Sequence, residues 1–262
     1  MAQDPGRKMP AKRKFGAGKN GKGASKKGFK KPLTQAQKEM EAKKARLQRR
    51  LDKPHGNIIE EAKGLWNKAR EKALEPEARS ALITQIMSLI KGKIVQVATR
   101  HDASRIVQLC ISHGTDEERQ EISAAVKDKL VTLSKTTYGR FLVSKLFARS
   151  KGKERAMLLK QFQGHMVKLG THNVSALVIE ELFDKVLSAK QCAFLFQEFY
   201  SPEFVHFKRK TEMSLPEILK ALAKEGDVKK CSMVLGYTLN TVQRMANKGL
   251  MSLGFVQYLL WQ

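Results

Sequence analysis

Three segments of this 262-residue chain align without a gap at a spacing of 36 residues: Ile94 to Cys110, Leu130 to Leu146 and Met166 to Leu182. Ile94, Leu130 and Met166 share one position of the echo, and Val95, Val131 and Val167 share the next. A fixed period of this size marks a solenoid. Each unit is too small to bury its apolar face alone, so units stack and share one core. Such a stack is all-α here, because each unit reads as a helix, a polar break and a second helix. A solenoid offers one long concave surface, so function is to be sought in a position repeated along it, not in a single catalytic pocket.

The flanks of the repeat follow from the same logic. Ile58, Ala62, Leu65, Ala69 and Ala73 recur at helical spacing with Trp66 beside them, and Asn57 with Glu60 has the form of a capping box. Residues 57–76 therefore read as an N-terminal capping helix that covers the first unit, with the repeats occupying 77–262. Pro76 restarts a helix with apolar positions Ala81, Leu82, Ile86, Leu89 and Ile90. Asp102 is placed to cap the second helix of the first unit, and Thr115 with Glu118 to box the next long helix. After Leu187 the period weakens, since Phe204-Val205 falls 38 residues past Met166-Val167. Residues 206–216 read as a basic loop insertion, followed by a last helical pair over 215–249 and 250–262. Leu253, Phe255, Leu259, Leu260 and Trp261 end the chain uncapped, the pattern expected of an incomplete array that continues into further repeats.

Charge narrows the partner. The formal net charge is +25. Residues 1–56 hold 18 Lys+Arg against four acids, and the remainder holds 32 against 21, so tail and body are both basic. That argues for a polyanion. No lipidation motif accompanies the tail, and the longest apolar-rich run, Leu250 to Trp261, is shorter than the roughly 20 residues a membrane span needs. Nucleic acid is favoured over membrane, and neither a small-molecule substrate nor a cofactor is expected. Residues 1–33 hold too few large apolar side chains to offset the entropy of ordering and read as disordered. Residues 34–53 read as a charged helix. Lys12-Arg13-Lys14 and Lys26-Lys27 are clusters of the nuclear-import kind. Three dispersed cysteines and six histidines form no metal or nucleophile motif, so the chain does not read as an enzyme.

Aligned at the repeat, Asp102-Ala-Ser-Arg-Ile-Val-Gln108, Tyr138-Gly-Arg-Phe-Leu-Val-Ser144 and Val174-Ser-Ala-Leu-Val-Ile-Glu180 resemble the Tyr-Gly-Asn-Tyr-x-x-Gln signature of the Pumilio (PUF) family of RNA-binding repeat proteins. The resemblance implies a right-handed α-helical solenoid of Pumilio-type repeats whose second helices face RNA. Side chains at i and i+4 share a helix face and can grip one base edge, while i+1 stacks between bases. The first triad is then Ser104, Arg105 and Gln108, the type the family pairs with adenine. The second is Arg140, Phe141 and Ser144, which keeps only the stacking residue. The third, Ala176, Leu177 and Glu180, has lost it, and the fourth, Leu253, Gly254 and Gln257, keeps only Gln257. Arg100, Lys135 and Lys145 near the repeated face, with Lys208, Arg209 and Lys210 in the insertion, are the candidate phosphate contacts.

One full triad in four departs from the sequence-reading pattern and is similar instead to the nucleolar Puf-A or penguin-type branch. That resemblance implies binding of RNA, pre-rRNA in particular, and of DNA with little base preference, alongside pre-ribosomal proteins. It also implies a role in large ribosomal subunit biogenesis in the nucleus and nucleolus. Two other readings compete. Helical pairs of this period also build protein-interaction scaffolds, and a sequence-specific translational regulator of mRNA would use the same fold with its triads complete.

Overall fold

The computed structural model describes residues 34–205 and 213–262, and every regular element among them is helical. The expected disorder over 1–33, the basic clusters of the tail, and Lys208, Arg209 and Lys210 lie outside the described residues. Helix α1 (Gln35–Leu51) takes the place of the charged helix expected over 34–53 and buries none of its side chains. Thr34 opens it: its hydroxyl accepts the Gln37 amide at 3.4 Å, and its own amide donates to Gln37 Oε1 at 2.9 Å.

Residues 49–262 form one compact unit. It starts with α2 (Gly56–Ala69), which packs on α3 (Pro76–Ile90). The covered face of α2 is Ile59, Ala62 and Ala69, with Leu65 and Trp66 partly buried. This corrects the sequence reading by one residue. Asn57 is not the cap, because the chain turns tightly at His55 (φ 60°) and the helix begins at Gly56. A Cβ at Gly56 would sit 2.4 Å from the carbonyl oxygens of Arg50 and Leu51, so glycine is needed there. Glu60, freed from capping, pairs with Lys63 at 2.8 Å and Arg50 at 3.6 Å. Ala73 lies beyond the helix and is exposed. Arg79 closes the turn by donating to the Ala69, Glu71 and Leu74 carbonyls, satisfying acceptors that a helix end leaves open.

The repeat follows in register. Short helices α4 (Ile94–Thr99), α7 (Leu130–Ser134) and α10 (Met166–Gly170) begin at the three residues that mark the 36-residue period. Second helices α5 (Ser104–His113), α8 (Gly139–Arg149) and α11 (Ala176–Lys185) pack side by side. Long helices α6 (Asp116–Val126), α9 (Gly152–Lys160) and α12 (Ala189–Tyr200) connect the units. Equivalent positions are buried in each unit: Ile94, Leu130 and Met166; Val97, Leu133 and Leu169; Val107, Val143 and Ile179; Cys110, Leu146 and Leu182. Each large member contributes about 1.5–3 kcal/mol of transfer free energy, and all belong to one continuous core. The Thr115–Glu118 capping box forms as expected, with reciprocal bonds of 3.3 and 2.8 Å. Asp102 does not cap α5, which starts at Ser104 behind Ala103. Its carboxylate instead receives Lys63 at 2.8 Å and Arg100 at 3.1 Å, bolting α2 to the first unit.

The expected last pair of helices resolves into three. After α12 and a short turn at Pro202–Val205 come α13 (Leu215–Lys224), boxed by Ser214 and Glu217, then α14 (Val228–Ala246) and α15 (Gly254–Trp261). Gly226 (φ +74°) supplies the bend between α13 and α14 that the sequence reading passed over. The end of α14 stands beside α10: a Cβ on Gly170 would meet the Phe199 ring at 2.9 Å and Met245 Cε at 3.3 Å. Lys248 also donates to the Thr171 carbonyl. α15 thereby packs against α11 as the fourth member of the second-helix row, although Leu253 comes 77 residues after Ala176.

Candidate nucleic-acid interface

Between α5 and α8 lies a cavity of about 450 Å³ lined by His101, Ser104, Arg105, Gln108, Tyr138 and Phe141. Ser104 and Gln108 are one turn apart on α5, so both face it. Ser104 is only 2% exposed and forms the recessed floor, Gln108 is half-buried, and Arg105 is exposed at the mouth. The polar breaks supply the walls. His101 meets the Tyr138 ring edge-on, with centroids 5.0 Å apart and planes at 71°. Tyr138 is held by a tight turn in which Thr136 Oγ1 accepts the Gly139 amide at 3.0 Å and donates to the Leu133 carbonyl at 2.9 Å.

Phe141, 39% exposed, sits opposite Arg105, and the Arg140 guanidinium lies 4.1 Å over its ring. Arg140 is therefore drawn into a cation–π pair. The second triad offers a stacked platform with half-buried Ser144 beside it, not two hydrogen-bonding side chains aimed at one base edge. The first triad thus comes together with three flat rings, His101, Tyr138 and Phe141, around the two hydrogen-bonding groups of Ser104 and Gln108. Neither His101 nor Tyr138 is among the candidate contacts read from the sequence. Their places just ahead of successive second helices were the available signal.

The third triad is closed, and the fourth keeps only Gln257 exposed. Ala176 is fully buried, and Glu180 turns its carboxylate onto α15, accepting the Gly254 amide at 2.8 Å and the Phe255 amide at 3.1 Å. Two helix-terminal N–H groups are satisfied this way. Phe183, Phe196, Phe199, Phe255 and Tyr258 pack ring on ring behind the junction, with centroids 5.4–6.3 Å apart. Gln257 is exposed, and its amide reaches the Met251 carbonyl only at 3.5 Å.

The candidate phosphate contacts divide. Arg100 is committed to Asp102 and the Pro54 carbonyl and serves the α2 junction. Partial burial works against the Asp102 carboxylate, yet hydrogen bonds from Lys63 and Arg100 hold its pKa at about 2. Lys135 is half-buried near His172, whose Nδ1 accepts from the Val174 and Ser175 amides at 3.3 and 3.4 Å. Burial, with Lys135 and Lys248 next in effect, pushes that imidazole's pKa down. Lys145 is exposed, with one bond to Ser112 at 3.2 Å. Cys110 and Cys192 are core residues whose burial raises their thiol pKa to about 12 and about 11. Among the described residues no cluster of His, Cys, Asp or Glu is placed to hold a metal ion, and no helix is long and apolar enough to cross a membrane.

Three-helix units stacked on a common core, with a triad repeated along one helix row, define an α-helical repeat protein of the Pumilio type. No protein-family model matches the chain. The Schizosaccharomyces pombe protein called Pumilio homology domain family member 6 is 32% identical over 171 residues, 65% of this chain and 27% of that protein. Human Pumilio homolog 3 is 30% identical over 221 residues, 82% of this chain and 33% of the relative. The chain thus spans about a third or less of the length of these curated relatives. The crystal structure of human Puf-A matches with a TM-score of 0.64 and 26% identity over 73% of this chain and 36% of that one. Human Puf-A in complex with DNA matches at 0.61 and 27%, over 70% and 37% of the two chains. The chain belongs to the Pumilio-repeat proteins, in their divergent Puf-A branch.

Proposed function

We propose that this protein binds nucleic acid, RNA in the first place, with most of its affinity drawn from phosphates and one base position read by the first unit. The cavity between α5 and α8 carries the proposal. Its flat walls and the Ser104 and Gln108 polar groups suit a single heteroaromatic ring, with Arg105 and Phe141 as stacking surfaces. Further support comes from the basic excess of the body and from human Puf-A, whose structure is known in complex with DNA. With Ala176 buried and Glu180 committed to α15, one base at about 1–3 kcal/mol of discrimination, by analogy with groove readout, falls short of an mRNA address. We therefore favour a sequence-tolerant role in large ribosomal subunit biogenesis over translational repression. In this reading the partners are pre-rRNA and pre-ribosomal proteins, the location is the nucleolus, and Lys12-Arg13-Lys14 and Lys26-Lys27 direct nuclear import.

The test is fluorescence-anisotropy binding of the full chain to unrelated single-stranded and duplex RNAs across a salt series. Similar affinities with a steep salt slope support the proposal. One strongly preferred sequence would restore the translational reading, and absence of binding would leave the protein-scaffold reading. Deleting residues 1–33 should lower nuclear accumulation in fluorescence microscopy while the melting temperature stays unchanged.

A further inference from the structure

A cavity rich in basic side chains lies away from the base-sized one, at the other end of the second helices. With a volume of about 650 Å³, it opens between the start of α6, the end of α8 and the start of α9, lined in part by Arg119, Arg149, Lys151, Lys153, Asp116 and Glu154. Arg119 is committed inward: it donates to the Gly114 carbonyl and pairs with Asp116. Arg149, Lys151 and Lys153 are all exposed and form no ion pair among the described residues, which leaves three free cations against the single carboxylate of Glu154.

The positive field extends along the edge to α5. His113, the last residue of α5, has its imidazole pKa pushed down, first by burial and then by Arg79, Arg149 and Lys145 converging on it. Lys145 and Arg149 of α8 thus act on the end of the adjacent second helix, while the base-sized cavity occupies the beginnings of both. Phe141 and Arg149 are eight residues apart on α8, about 12 Å at 1.5 Å per residue.

We propose that Arg149, Lys151 and Lys153 form a second nucleic-acid contact, a phosphate-binding rim that holds the backbone of the strand whose base enters the cavity between α5 and α8. The rim rests on the nucleic-acid reading above, and it differs from it in chemistry. It reads charge alone, so it supplies affinity without base preference. Each phosphate neutralised releases condensed counterions, so the contribution fades with salt and is the same for every sequence.

The experiment compares the full chain with Arg149→Ala/Lys151→Ala/Lys153→Ala in anisotropy titrations against two unrelated single-stranded RNAs over a salt series. The side chains are exposed, and an unchanged thermal melt verifies the fold. We expect the log–log salt slope to fall by about 2, three phosphates at roughly 0.7 each for single strands, equally for both RNAs. The charge-preserving variant Arg149→Lys should keep its slope. Wild-type binding with an unchanged slope in the triple variant would overturn the rim and leave the proposed function standing. A loss confined to one RNA would also overturn the rim, since phosphates carry no sequence. If the triple variant melts early, Lys151→Gln/Lys153→Gln replaces it, with an expected slope change of about 1.4. Failure of the wild-type chain to bind either RNA would sink both proposals. A slope unchanged for RNA, with loss of binding to an acidic polypeptide, would assign the rim to a protein partner instead.

Discussion

The α5–α8 junction and the α11–α15 junction are built from equivalent positions of one repeat, yet the first is open and the second is sealed. At the first, Gln108 faces a cavity walled by His101, Tyr138 and Phe141. At the second, the equivalent residue is Glu180, and its two oxygens close on backbone amides of the neighbouring helix. One position can serve a ligand or the scaffold, and a carboxylate beside an uncovered helix start serves the scaffold. Loss of base-reading residues in this chain is therefore partly a gain of fold, since the sealed junction replaces an interaction surface with five packed rings.

The comparison breaks most visibly at those rings. Phe196, fully buried in the sealed junction, should cost about 3–5 kcal/mol when changed to Ala, read as a fall in the denaturant midpoint. RNA affinity at temperatures where the variant is folded should stay close to wild type. Phe141→Ala should do the reverse. Loss of one stacking platform weakens RNA binding by about 1–3 kcal/mol, or roughly 5- to 150-fold, while stability moves by no more than the roughly 0.5–1 kcal/mol of its pair with Arg140. An unchanged Kd would mean that the open junction is not the base site.

Glu180→Ala leaves two amides to solvent or unpaired and should cost about 1–3 kcal/mol, with hydrogen exchange rising in α15 before α5. Equal rises in both would show that the junctions are not independent.

Asp102 sharpens the other end of the array. Its carboxyl titrates lower in the folded state than in the unfolded chain. The Lys63–Asp102–Arg100 cluster therefore stabilises fully above the unfolded pKa near 4 and is lost as pH falls toward about 2. Its partial exposure limits the effect to about 1–2 kcal/mol. In urea titrations at pH 7 and pH 2.5, Asp102→Asn should lose that much at the higher pH and little at the lower.

The period was legible because burial is repeated. Ile94, Leu130 and Met166 must each fill the same hole, so the three short helices begin where the spacing places them. Capping was legible where it is local, as at Thr115 and Glu118. It misled where an ion had a more distant partner: Asp102 and Glu60 look like caps along the chain, but Lys63, Arg100 and Arg50 claim them in space. The site divided in the same way. Ser104, Arg105 and Gln108 share one helix and could be read in register. The His101–Tyr138 wall joins two units, and the Arg149–Lys153 rim becomes a cavity only when α6, α8 and α9 meet. Arg140 over Phe141 was not readable from spacing, since neighbouring residues on a helix do not ordinarily face each other.

The long stretch of chain between α11 and α15 also sets an order of events in folding. Neighbouring second helices in the first three units pair across one 36-residue period, whereas the Glu180 carboxylate must wait for amides 74 and 75 residues further along the chain. By the logarithmic dependence of loop closure, doubling the span adds only about 0.6 kcal/mol, but formation slows with sequence separation. During synthesis from the N-terminus the first three units can therefore dock while Glu180 is still uncovered. The fourth second-helix then arrives as a late closing step, set by the length of chain that must be made before it.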